Sequence, residues 1–152
     1  MKKFLAVTGR VCLIAVILFG MLSFSGCMAI RHSIFNYVAE NSEALEEFAI
    51  RFAEESAGLE YDADTTYEDY DVYYWQDTGI VEFISRRSPV MSEAKTTGFY
   101  YSPKDVPACP RVAGAIFREK EDYGWTWIAD SGEGWEHTEQ IIAKWYWYEA
   151  TF

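Results

Sequence analysis

The sequence is short of the residues on which site chemistry most often rests. It holds two histidines, His32 and His137, and three cysteines, Cys12, Cys27 and Cys109. Zinc sites draw three or four ligands from His, Cys and carboxylates, and neither histidine has a second one near it, so zinc chemistry has no foundation here. Cys12 lies inside an apolar run, which leaves too few thiols for a disulfide framework. No stretch carries a specific catalytic, metal or nucleotide signature, and no cofactor is called for. Acidic residues are missing until Glu40, whereas basic residues are scarce later. Beyond Cys27 there are 10 Lys and Arg against 24 Asp and Glu, a formal charge of −14. Such a field repels nucleic acid and anionic headgroups and favours basic partners or cations. Nucleic acid is therefore excluded as a partner.

What is present first is a membrane-directing segment. Lys2, Lys3 and Arg10 lead into an uncharged run, 11–30, closed by Arg31; as a helix it would span roughly 30 Å, the thickness of a bilayer core. The excess of basic residues ahead of the run predicts the N-terminus in the cytoplasm and the rest outside. Residues 1–31 thus read as a lipoprotein signal or a transmembrane anchor on the bacterial cytoplasmic membrane, with 32–152 a single extracytoplasmic domain. Phe24, Ser25, Gly26 and Cys27 match a lipoprotein signal at three of four positions, Phe standing where Leu is usual, and make Cys27 the candidate lipid attachment site. The apolar Met28, Ala29 and Ile30 after it suit an uncleaved anchor, and both readings stand. A type IV pilin is excluded, because its processing motif is missing and no Glu lies in the apolar run.

In the outer domain, Ile34, Val38, Leu45, Phe48, Ala49 and Phe52 recur at helical spacing, with most glutamates on the opposite face, which predicts an amphipathic helix over 33–57. Asn41 and Ser42 offer a kink with restart, and Gly58 a left-handed cap. Beyond Gly58 the period turns to alternation. "YEDYDVYYW" (67–75), "IVEFIS" (80–85) across a "DTG" turn, "KTTGFYYS" (95–102), "GWTWIAD" (124–130) and a last strand from Ala143 read as strands; 108–120 is ambiguous. The expected architecture is α+β: one long amphipathic helix packed on an antiparallel sheet of about five strands, β-rich over 66–152.

Four places invite a functional reading. Asp62 and Asp64 fit the first positions of a calcium loop, but Tyr67 and Tyr73 replace its glycine and bidentate glutamate, and the segment reads as a solvated acidic loop. Glu136 and His137 are a candidate hydrolase pair, the only hint of an enzyme in a chain otherwise read as non-enzymatic. Cys109, in "PACPR", reads as a small buried thiol. Trp125 and Trp127 share one strand face, as do Trp145 and Trp147 on another strand, and the four are candidate ligand-binding rings. Because both faces of the last strand are aromatic, one needs a cover: residues 108–120, a partner protein, a stacked sugar or a second copy.

At "GFYYSPKDVP" (98–107), "GWTW" (124–127) and "WYWYEATF" (145–152), the chain resembles a set of small uncharacterised proteins, membrane-anchored or secreted, of gut-type Firmicutes. The resemblance covers the C-terminal half and implies a shared fold without a known activity. The expected function is a membrane-anchored extracytoplasmic binding or structural module with a protein or glycan partner. Its alternatives are a cell-wall glycan-binding module using the tryptophans as a platform, and an acidic inhibitor or immunity protein against a basic toxin or lytic enzyme.

Overall fold

A computed structural model describes residues 2–59, 62–85, 95–119 and 124–151, with side chains from residue 29 onward. The reading of Cys27 as a lipid attachment site therefore lies outside the described side chains, as does nearly all of the apolar run. Among the described residues no helix is long and apolar enough to cross a membrane. The chain divides into two units, Met1–Ser33 and Ile34–Phe152. Helix α1, Lys2–Ser56, begins in the first and ends in the second.

The expected helix on about five strands is corrected. Among the described residues, one N-terminal helix is followed by eight strands, β1 Ala63–Tyr67, β2 Tyr70–Trp75, β3 Ile80–Ser85, β4 Lys95–Tyr101, β5 Arg118–Glu119, β6 Trp125–Ile128, β7 Trp135–Ile142 and β8 Trp145–Thr151, so the domain is mostly sheet. All eight form one antiparallel sheet in the order β1-β2-β3-β4-β8-β7-β6-β5. Two four-stranded meanders are thus joined through β4 and β8, and the last strand lies inside the sheet. "GWTW" returns through β7, not through the run after Ala143. β7 escaped the alternation test because its inward positions, Glu136 and Thr138, are polar and buried while His137 and Glu139 occupy the other face; no apolar period marks it. β1 and β5 are short and lie at the sheet's edges, where little apolar burial is demanded.

The helix is unbroken at Asn41, whose side-chain amide donates to the Tyr37 carbonyl one turn back. It ends at Ser56 with Gly58 at φ 95°, the left-handed cap. Ile34, Val38, Leu45 and Ala49 are buried along one stripe. Beside them Tyr37 meets Phe99 at a ring separation of 6.1 Å, Phe48 meets Tyr67 at 4.4 Å and Phe83 at 5.9 Å. Register puts Phe83, Phe99 and Trp147 side by side on this helix face. Trp145 packs 5.8 Å from both Phe83 and Phe99. Fully burying rings of this size stabilises by about 1.5–3 kcal/mol each, and this layer is the main core. Glu46 leans from the helix to accept from Lys144 Nζ at 2.8 Å and Tyr101 OH at 3.1 Å.

The opposite face carries Glu82, Tyr100, Tyr146, Tyr148, Ala150, Glu136 and Thr138. Tyr148 crosses it beside Gly98, where an added Cβ would sit 2.0 Å from the Phe83 carbonyl and 3.1 Å from the Tyr148 ring; only glycine fits. The link from β4 to β5, residues 102–117, runs from mid-sheet to the far edge and supplies this face with its cover: Ala108 packs against the tyrosine cluster, and its N–H donates to Tyr100 OH. The turn at its start is pinned by Asp105, whose Oδ1 accepts from the Lys144 backbone at 2.6 Å, Gln140 at 2.9 Å and Tyr146 OH at 3.2 Å.

Candidate functional site

Two carboxylates stand on the covered face, and both are 0 % exposed. Glu82, on β3, is fully partnered. It accepts from Trp75 Nε1 at 2.8 Å, from Tyr148 OH at 2.5 Å, and from Arg111 through Nε at 3.3 Å and Nη2 at 3.2 Å. A buried carboxylate gains most from such a two-pronged guanidinium contact, because it matches charge and geometry together. Glu136, on β7, is its opposite. Neither of its oxygens has a hydrogen-bond partner among the described residues, although the Cys109 thiol lies close enough to favour the ionised form. Burial, and then the negative charge of Glu82, outweigh that help and push its pKa up to about 8, so the acid is protonated at neutral pH. The same burial, together with Glu136, raises the Cys109 thiol, and burial with Glu82 raises Tyr148. These groups are held neutral and out of reach of solvent. Arg111 on Glu82 and Thr78 Oγ1 donating to the Pro110 carbonyl at 3.0 Å seat residues 108–111 on the sheet.

That seating places the next stretch. Residues 112–116, Arg118, the β6 residues Thr126, Trp127 and Ile128, and Ala129 and Asp130 line a cleft of about 700 Å³. Its volume lies in the range of ligand pockets. Two large apolar side chains stand in the open on its walls, Ile116 at 82 % and Ile128 at 64 % exposure. Trp127, also a lining residue, is half-buried, and Arg118 and Asp130 supply one charge of each sign.

The structure separates several residues that the sequence paired. Trp145 and Trp147, 1 % and 6 % exposed, belong to the helix-side core. Trp125 and Trp127 face the other way: register sets Trp125 beside Thr138 and Tyr148, and its ring meets Tyr146 edge-on at 6.1 Å. The four rings form no single platform, and of the four only Trp127 reaches the cleft. Glu136 and His137, being consecutive in a strand, point to opposite faces; His137 contacts Thr126 Oγ1 at 3.3 Å and Glu139 at 3.1 Å. Asp62 is exposed and accepts from the Gln76 backbone, and Asp64 is exposed on β1. Among the described residues no cluster of three or more His, Cys, Asp or Glu is placed to hold a metal. Cys109 is buried, as its setting in the sequence predicted. Sequence reasoning passed over Glu82, Arg111, Ile116 and Ile128. A glutamate inside the apolar strand "IVEFIS" was the one available signal, since a lone charge amid such residues is either solvent-facing or paired.

Comparison of the chain with protein-family models, curated proteins and solved structures finds no match, so the geometry of this cleft and of the acid pair behind its wall is the basis for any functional reading.

Proposed function

We propose that the protein is a membrane-anchored extracytoplasmic module that binds a partner rather than transforming a substrate, and that the cleft between residues 112–118 and β6 is where it binds. The observation that carries this is the cleft itself, with Ile116 and Ile128 exposed among its lining residues. Leaving large apolar side chains exposed together on a concave wall costs solubility and marks interaction surfaces. The chemically distinctive groups support the same reading from the other side, because Glu82 and Glu136 are both enclosed and Glu82, through Arg111, seats the wall of the cleft. Anchoring rests on Lys2, Lys3 and Arg10 ahead of the apolar run 11–30 and on Cys27.

The test is binding by the full-length protein in detergent micelles to a peptide array and a glycan array. It is repeated with Ile116→Asp and Ile128→Asp, positions whose exposure lets the fold stand. Binding to either array that both substitutions abolish is the expected result. Blank arrays, or signals that neither substitution changes, would overturn the reading.

A further inference from the structure

The cleft has a feature beyond its apolar walls: a length of sheet edge left open among the described residues. The Ala129 N–H donates to the Gly134 carbonyl at 2.8 Å across the β6–β7 hairpin, in register with the pairs Trp127↔Glu136 and Ile128↔Trp135. In an antiparallel ladder, hydrogen-bonded and non-bonded pairs alternate. Trp127 therefore directs its backbone groups to β7, and Ile128 directs its N–H and C=O outward, away from β7. On that outer side, among the described residues, β5 pairs Trp125 with Glu119 and Thr126 with Arg118 and goes no further. Continued by two residues, β5 would set Ile116 opposite Ile128. The chain instead leaves the ladder, because residues 108–111 are tied to Tyr100, Thr78 and Glu82 and hold the approach to β5 away from the sheet. What would have been paired backbone is the floor of the cleft.

We propose that this cleft receives an extended, basic segment of a partner protein, which adds as a strand to β6 at Ile128. The proposal rests on the reading of the cleft as the binding site and names its occupant. Strand addition draws affinity from main-chain hydrogen bonds and selectivity from alternate side chains. Here a residue opposite Ile128 would lay its side chain beside Ile128 on one face, and its neighbours would lie beside Trp127 on the other. Charge selects the partner. Residues 28–152 carry 10 basic against 24 acidic groups. Asp130 lines the cleft, and Glu119 and Glu133 are exposed next to its ends in sequence; Arg118 is the one cation among the described lining residues. A second copy of the chain brings the same negative field and is repelled. A neutral glycan makes no use of that field or of a strand edge in register.

The experiment titrates the full-length protein in detergent micelles with a short peptide of alternating lysine and valine. Three comparison probes are its twin N-methylated at alternate backbone positions, its twin with glutamate for lysine, and a chitin oligosaccharide. Amide hydrogen exchange at Ile128 is followed in each titration. The lysine–valine peptide is expected to bind and to slow exchange at Ile128, with affinity falling as salt is added. Each twin is expected to bind at least about tenfold more weakly. Equal binding of the N-methylated twin, unchanged exchange at Ile128, or no peptide binding would overturn strand addition. If the oligosaccharide alone binds, and Ile116→Asp abolishes it, the cleft remains the binding site and only its occupant has been misassigned. If nothing binds, both readings fall.

Discussion

Glu136 gives the sharpest test of the acid pair. Its carboxyl is 0 % exposed without a hydrogen-bond partner among the described residues, and its pKa in the folded protein is raised from 4.5 to about 8. The unfolded chain ionises this group near 4.5, while the folded chain keeps it protonated. Between those values the unfolded state binds fewer protons than the native state, so stability falls as pH rises. The protonated acid's stability is fully present below about 4.5 and is lost progressively up to about 8. Each unit between them costs about 1.4 kcal/mol, so moving from about pH 5 to about pH 7.5 removes roughly 3 kcal/mol. Glu136→Gln keeps the shape and cannot ionise. Urea unfolding followed by near-ultraviolet circular dichroism should therefore find the two proteins close at the acid end and the variant roughly 3 kcal/mol more stable at the neutral end. Every other titrating group is common to both proteins and cancels in the difference. A difference that does not change with pH would show that Glu136 is already ionised and partnered in the fold, and would refute its being held as the neutral acid.

Arg111→Met should destabilise the domain by about 3–5 kcal/mol, because it leaves the buried Glu82 carboxylate without its cation, and it should also raise hydrogen exchange across residues 108–116; a small loss with the segment still protected would refute the seating role. Gly98→Ala should cost about 3 kcal/mol or more, since its Cβ meets the Phe83 carbonyl and the Tyr148 ring together, and a thermal midpoint within a few degrees of the parent would contradict that close approach. For Cys27, intact-mass measurement of Cys27→Ser expressed in a bacterial host decides between two outcomes: blocked processing, with the whole signal retained, if the residue is lipidated, and no change in processing if the run is an uncleaved anchor.

Much of the local structure was legible because it follows from side-chain period alone. The stripe of Ile34, Val38, Leu45 and Ala49 specified the helix and its buried face, and Gly58 its end. Alternation in 70–75 and 80–85 around the "DTG" turn specified a hairpin. The buried thiol of Cys109 followed from its neighbours. The size of the sheet did not follow, because β7 buries Glu136 and Thr138 and has no apolar face for the pattern to reveal; it is a strand by virtue of lying between β6 and β8. The candidate site was less legible still. Glu82, on β3, and Glu136 lie far apart in the chain and come within electrostatic reach only because the two meanders join at β4 and β8. Arg111 reaches Glu82 only because the link between the meanders crosses that face. The tryptophan rows show the same limit: local alternation set which rings share a strand face, but register and strand order decided that one row is core and that Trp127 alone of the four opens on the cleft. Periodicity is a property of neighbours along the chain, whereas an acid's pKa and an open sheet edge depend on groups brought together from distant segments.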